Sequence, residues 1–77
     1  MKNIESIKRA IQQAAKTRQK MAAFHSQVLL HAASLEYSDA VEFCRDVAVP
    51  PSYESEFKKM LSAARMLSES GYSIQKI

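Results

Sequence analysis

Glycine is almost missing from this chain: among 77 residues the one glycine is Gly71. A glycine-rich loop that cradles phosphates is therefore impossible, and nucleotide hydrolysis of that kind has no machinery. Cysteine is equally scarce. Cys44 stands alone, so no internal disulfide can form and nothing argues for an oxidising compartment. Tryptophan is absent, and the two prolines are adjacent at Pro50 and Pro51, so the remainder of the chain is free of the commonest helix breakers. No apolar run approaches the roughly 18 residues of a membrane-spanning helix, and the opening MKNIESIKRAIQQ lacks a signal-peptide core. A cytoplasmic protein with no membrane role is expected.

What is present favours helices. Ala, Ser, Lys and Glu are plentiful, Met occurs four times, and strand-like alternation is rare. The fold class expected is all-α, a single domain over residues 1–77. It should hold a long N-terminal helix (about 3–34), a short second helix (about 39–48), a medium third helix (about 52–70) and a tail at 72–77. Ile4, Ile7, Ile11 and Ala14 recur at helical spacing, and MAAFHSQVLLHAASL, residues 21–35, is apolar round most of the helix axis. Such a helix is either central in its bundle or covered by another chain. Asp39 followed by Glu42 has the form of a capping box for the second helix, Pro50-Pro51 ends it, and Ser52 is the expected N-cap of the third. Tyr53, Phe57, Met60, Leu61, Ala64 and Leu67 give that helix its apolar stripe, and Gly71 is the expected stop. A domain this small is marginal on one core unless a partner or second copy adds buried surface.

Charge is laid out in blocks. Residues 1–35 carry Lys2, Lys8, Arg9, Lys16, Arg18 and Lys20 against Glu5, a net of +5. Residues 36–56 carry six acids against Arg45, a net of −5, and residues 57–77 return to +3. The plainer expectation is that the acidic middle lies across a basic neighbour and the fields cancel. The sharper one is that the basic face of the first helix meets an acidic partner.

The candidate chemical sites are weak. His25 and His31 are six residues apart and fall on different helical faces, so they cannot chelate a metal together. Cys44 sits in register with Phe43 and Val47 as a small core residue, with no base beside it. Asp39, Glu42 and Asp46 read as a solvated face. No enzyme activity, cofactor, metal or small-molecule substrate is expected, because no acid, base and nucleophile converge.

Two binding surfaces remain. Ala23, Leu30, Met66, Tyr72 and Ile74 belong to an apolar surplus that two short helices cannot easily cover, and exposed patches of that kind mark interfaces. Arg9, Lys16, Arg18 and Lys20 form a basic stripe within residues 6–35, which hold no acid. A helix-turn-helix tried on Val41–Leu61, with residues 47–52 as the turn, fits poorly. Its turn holds two prolines, and Glu54 and Glu56 open the would-be recognition helix where phosphates would repel them. The function expected is that of a small binding protein, a homodimer or an accessory subunit, that regulates or inhibits a larger partner through protein contacts, in the manner of phage and plasmid regulators. The alternative is a nucleic-acid-binding regulator acting through the basic stripe. Pro50, Phe57, Leu61, Arg65 and Ser68, with the overall length, resemble the small theta subunit of bacterial DNA polymerase III. That resemblance covers about a quarter of the chain and its residues are common to many helices, so no function is carried over from it.

Overall fold

The computed structural model describes residues 4–74, which form four α-helices: α1 (Ile4–Ala14), α2 (Lys20–His31), α3 (Ala40–Asp46) and α4 (Tyr53–Glu69). Short 3-10 turns at Ala15–Thr17, Ala32–Ser34 and Tyr37–Asp39 join them. The fold is all-α, and no strand occurs among the described residues.

The long first helix divides in two. Its break lies at Arg18, whose backbone is left-handed at φ 61. The Gln19 N–H reaches back to the Ala14 carbonyl (3.1 Å) and the Arg18 N–H to that of Ala15 (3.4 Å), which is the Schellman arrangement that normally uses glycine. Thr17 adds its hydroxyl to the Ala14 carbonyl at 3.0 Å. The reason for the break lies in the core. Ile7 and Ile11 are fully buried together with Phe24 and Val28. A straight helix would carry α1 away from that core. Burying each isoleucine is worth about 1.5–3 kcal/mol, whereas a left-handed non-glycine residue costs roughly 1–2 kcal/mol. Folding α1 back on α2 therefore wins.

The same cap recurs twice. At the end of α3 the Val49 N–H bonds the Cys44 carbonyl (3.0 Å) and Ala48 bonds that of Arg45 (3.2 Å), with Ala48 at φ 61. At the end of α4 the Tyr72 N–H bonds the Leu67 carbonyl (2.9 Å), and Gly71, at φ 90, bonds that of Ser68 (3.0 Å). Only the last of these used the residue that advertises itself. Ala48→Gly should accordingly relieve strain and stabilise the domain by about 1 kcal/mol, raising Tm by roughly 4–8 °C for a chain of this length. A thermal melt followed by circular dichroism would show it, and an unchanged or lower Tm would mean the site is not strained.

The helix starts also depart from expectation. The box lies one turn earlier than Asp39–Glu42: the Asp39 carboxylate accepts the Glu36 backbone N–H at 2.9 Å, closing the 3-10 turn before α3. Ser52 makes no side-chain cap. Instead the carbonyls of Pro50 and Pro51 accept the N–H groups of Tyr53 and Glu54, both at 3.0 Å. The proline pair costs nothing here, because a residue preceding a helix needs no N–H donor of its own.

Phe24, Phe43 and Phe57 make the centre of the core. Phe24 meets Phe43 edge-on at 5.7 Å between centroids and Tyr53 at 5.0 Å, while Phe43 and Phe57 lie 5.1 Å apart. Contacts advance together along α2 and α4: Phe24 with Tyr53, His25 with Glu56, then Leu29 and Ala33 beside Ala64 and Leu67. These two helices thus run side by side in the same direction. Gln12 ties α1 to the α3–α4 connection, its Nε2 donating to the carbonyls of Val47 (2.9 Å) and Ala48 (3.1 Å). Arg65 ties α4 to the α2–α3 connection through the Leu35 carbonyl (3.3 Å), the Glu36 carboxylate (3.0 Å) and the Tyr37 ring, 4.6 Å from its centroid.

Candidate nucleic-acid interface and apolar groove

Parallel packing of α2 and α4 gives the molecule two distinct ends. At one end, beside the α1–α2 corner at residues 15–19, the start of α2 meets the start of α4, with the Lys20 ammonium 5.8 Å from the centre of the Tyr53 ring. At the other end the C-terminal halves of α2 and α4 flank a groove.

The basic corner follows from the break at Arg18. Arg9, Lys16 and Arg18 are exposed and Lys20 is half-buried against Tyr53. Among the described residues none of these four forms an ion pair. The acidic middle finds its partners elsewhere: Glu36 pairs with Arg65 at 3.0 Å, Asp46 with Arg45 at 3.6 Å, and Glu56 with Lys59 at 3.1 Å and His25 at 2.9 Å. The acidic middle does lie against basic neighbours, chiefly Arg65 and Lys59 of α4 rather than the cations of the α1–α2 corner. Those acids lie on α3, α4 and the connection before α3, where Arg65 and Lys59 reach them first.

Glu56 is held well in place. Hydrogen bonds from Lys59 and then His25 push its carboxyl below the ordinary carboxylate value. A lowered carboxyl contributes stability that is complete above its unfolded value and lost as pH falls through the folded one. Glu54 is half-buried on the side facing Cys44, whose thiol its charge helps to push up. Thus the two carboxylates that open α4 are turned onto α2 and α3, while Ser55, Lys58, Lys59 and Ser62 make its exposed face.

The groove at the far end is about 290 Å³ in volume. Its apolar lining comes from Leu29, Leu30, Ala32, Ala33, Ala64 and Leu67, with Tyr72 and Ile74 beyond the end of α4. Leu30 is 55% exposed and Tyr72 68%, so residues 72–74 flank the groove without closing it, the rest of the tail lying outside the described residues. Of the apolar residues expected at an interface, Leu30, Tyr72 and Ile74 come together here. Met66 is exposed on α4 but does not line the groove. Ala23, adjacent to Phe24 in the chain, packs partly against the core and does not line the groove.

Cys44 is buried and its thiol is pushed up to about 11, by desolvation first and by the Glu54 charge second. Among the described residues no group of three or more His, Cys, Asp or Glu converges to hold a metal ion, and no helix is long and apolar enough to cross a membrane.

A short helix and a longer one, joined by a six-residue connection and packed on two preceding helices, define a helical domain of the helix-turn-helix kind. The chain belongs to the HTH-like domain family, whose model matches residues 2–70. No curated protein and no solved structure matches it. The poor fit read from residues 41–61 is corrected on one count: the turn accommodates Pro50 and Pro51, whose carbonyls accept the first N–H groups of α4. The residues that sequence reasoning missed are Gln12, Arg65 and Ala48, which fix the connections. Only a glutamine at the end of an amphipathic helix hinted at the first of them.

Proposed function

We propose that this chain is a non-enzymatic nucleic-acid-binding regulator, with Arg9, Lys16, Arg18 and Lys20 as its phosphate-contacting residues. The observation that carries this reading is the unpaired state of those four cations beside a sequence segment, residues 6–35, that has no acid. Phosphate neutralisation by clustered Lys and Arg supplies most of the affinity of a nucleic-acid-binding domain, and a cation already paired inside the protein would contribute little. Membership of an HTH-like family supports the same assignment. The test is a titration of the chain against mixed-sequence duplex and single-stranded nucleic acid at low salt, followed by anisotropy. A flat titration with both would sink the reading.

A second reading rests on the groove. Leu30, Leu67, Tyr72 and Ile74 leave an apolar surface uncovered, and a protein partner or a second copy docking there would make the chain an accessory subunit or inhibitor. Leu30→Glu separates the two readings. Because Leu30 is exposed, the substitution should change stability by no more than about 0.5 kcal/mol. If the groove is an interface, association with a second copy or a partner should be lost while helicity is kept; a monomer before and after the change, with no partner retained by the unaltered chain in a pull-down, removes this reading.

A further inference from the structure

We infer that this domain engages the phosphate backbone of a nucleic-acid duplex through the α1–α2 corner, independently of base sequence, and that α4 does not serve as its reading helix. The inference rests on the nucleic-acid reading above and assigns the surface and the kind of ligand.

Three observations carry it. First, the cations are concentrated at one corner. Lys16 and Arg18 are exposed and unpaired on the turn itself, Lys20 begins α2, and Arg9 lies on the α1 surface leading into the turn. Second, α4 is poorly equipped to approach base edges. The start of a recognition helix is where base contacts are made, and here its two carboxylates are turned inward, Glu54 towards Cys44 and Glu56 accepting from Lys59 and His25, so they offer no acceptor to base edges. From Ser52 to Ser62 there is no Arg, Asn or Gln, so the exposed side chains that could reach base edges are Lys58, Lys59 and the serines, and Lys59 is already paired with Glu56. Third, the corner has no stacking platform. Its nearest aromatic, Tyr53, is half-buried and packed edge-on with Phe24. Single strands are held mainly by bases stacked on exposed aromatics, so a basic corner without one fits a duplex backbone. The longest extent of the molecule is 34 Å, so one chain spans about ten base pairs at 3.4 Å each.

The experiment measures binding of the unaltered chain to fluorescent 20-base-pair duplexes of three unrelated sequences across a salt series. Two double variants are compared with it: Lys16→Gln/Arg18→Gln at the corner and Lys58→Gln/Lys59→Gln on α4. Each removes two positive charges, so the second controls for net charge. Each contacted phosphate contributes about −0.9 to the slope of log K against log salt. The corner variant should therefore flatten the slope by about two, and the α4 variant should leave it nearly unchanged. Circular dichroism checks that both variants remain helical.

Equal or larger flattening in the α4 variant overturns the corner assignment while leaving the nucleic-acid reading standing. Affinities that differ more than about tenfold among the three duplexes, the scale of one or two specific base contacts, overturn sequence independence. Tighter binding of the corresponding single strand overturns the choice of a duplex. No binding of either form by the unaltered chain removes the inference together with the function on which it rests.

Discussion

Phe24→Ala is expected to destabilise the domain by about 3–5 kcal/mol, the cost of emptying a fully buried aromatic site. Phe24 touches both Phe43 and Tyr53, and so joins α2 to α3 and α4 at a single point. The cavity would have few neighbours able to collapse into it, because the fold turns its backbone through residues fixed by left-handed caps at Arg18 and Ala48. Native domains hold roughly 0.05–0.15 kcal/mol per residue, which for a chain this long amounts to about 4–12 kcal/mol in all. The variant should therefore lose a large share of the domain's stability, and unfold outright if that total lies near the lower bound. A urea titration followed by far-ultraviolet circular dichroism would measure the loss. A cost below about 1 kcal/mol would contradict the central position given to this ring.

The second large effect concerns Cys44. Burial and the Glu54 charge raise its thiol from 9.0 to about 11, and the thiolate is the reactive form. Two units separate the folded thiol from an unperturbed one, so at pH 8 the folded protein should be alkylated about a hundredfold more slowly than the same chain in denaturant. Limited access in the core slows it further. The sign for stability follows from linkage. A thiol whose folded value is raised stabilises the native state fully below pH 9, and that contribution is lost as pH rises from 9 towards 11. The loss is at most about 2–3 kcal/mol, at 1.36 kcal/mol per unit. Comparison with Cys44→Ala isolates it from the lysines and tyrosines that titrate nearby. Alkylation at equal rates in folded and denatured chain would show that Cys44 is not buried.

The groove and the basic corner are set apart by the same packing choice. Because α2 and α4 run in the same direction, the cations around the start of α2 fall at one end and the apolar groove at the other. A nucleic acid on the corner would leave the groove uncovered. The two binding readings are therefore compatible in space, and the Leu30→Glu and corner variants test them separately.

Much of the molecule was legible in its residues. Helix content follows from local preference: the absence of glycine and proline over residues 1–49, and apolar side chains spaced to line one side of a helix, act within a few residues of each other. The Tyr53–Leu67 stripe, the role of Gly71 and the core position of Cys44 are local in this sense. So is the block of positive charge in the first half. What the residues could not decide is where distant segments meet. The break at Arg18 carries no local signal, since an arginine with a left-handed backbone is unfavourable in isolation. It exists because burying Ile7 and Ile11 against Phe24 and Val28 repays that cost. The pairing of charges is likewise a tertiary result. Glu36 and Arg65 are 29 residues apart, and their contact at 3.0 Å, with the others like it, leaves the α1–α2 cations unmatched. Local preference determined what could be helix; burial of a few large side chains determined how the helices turn back on one another, and with that which charges face solvent.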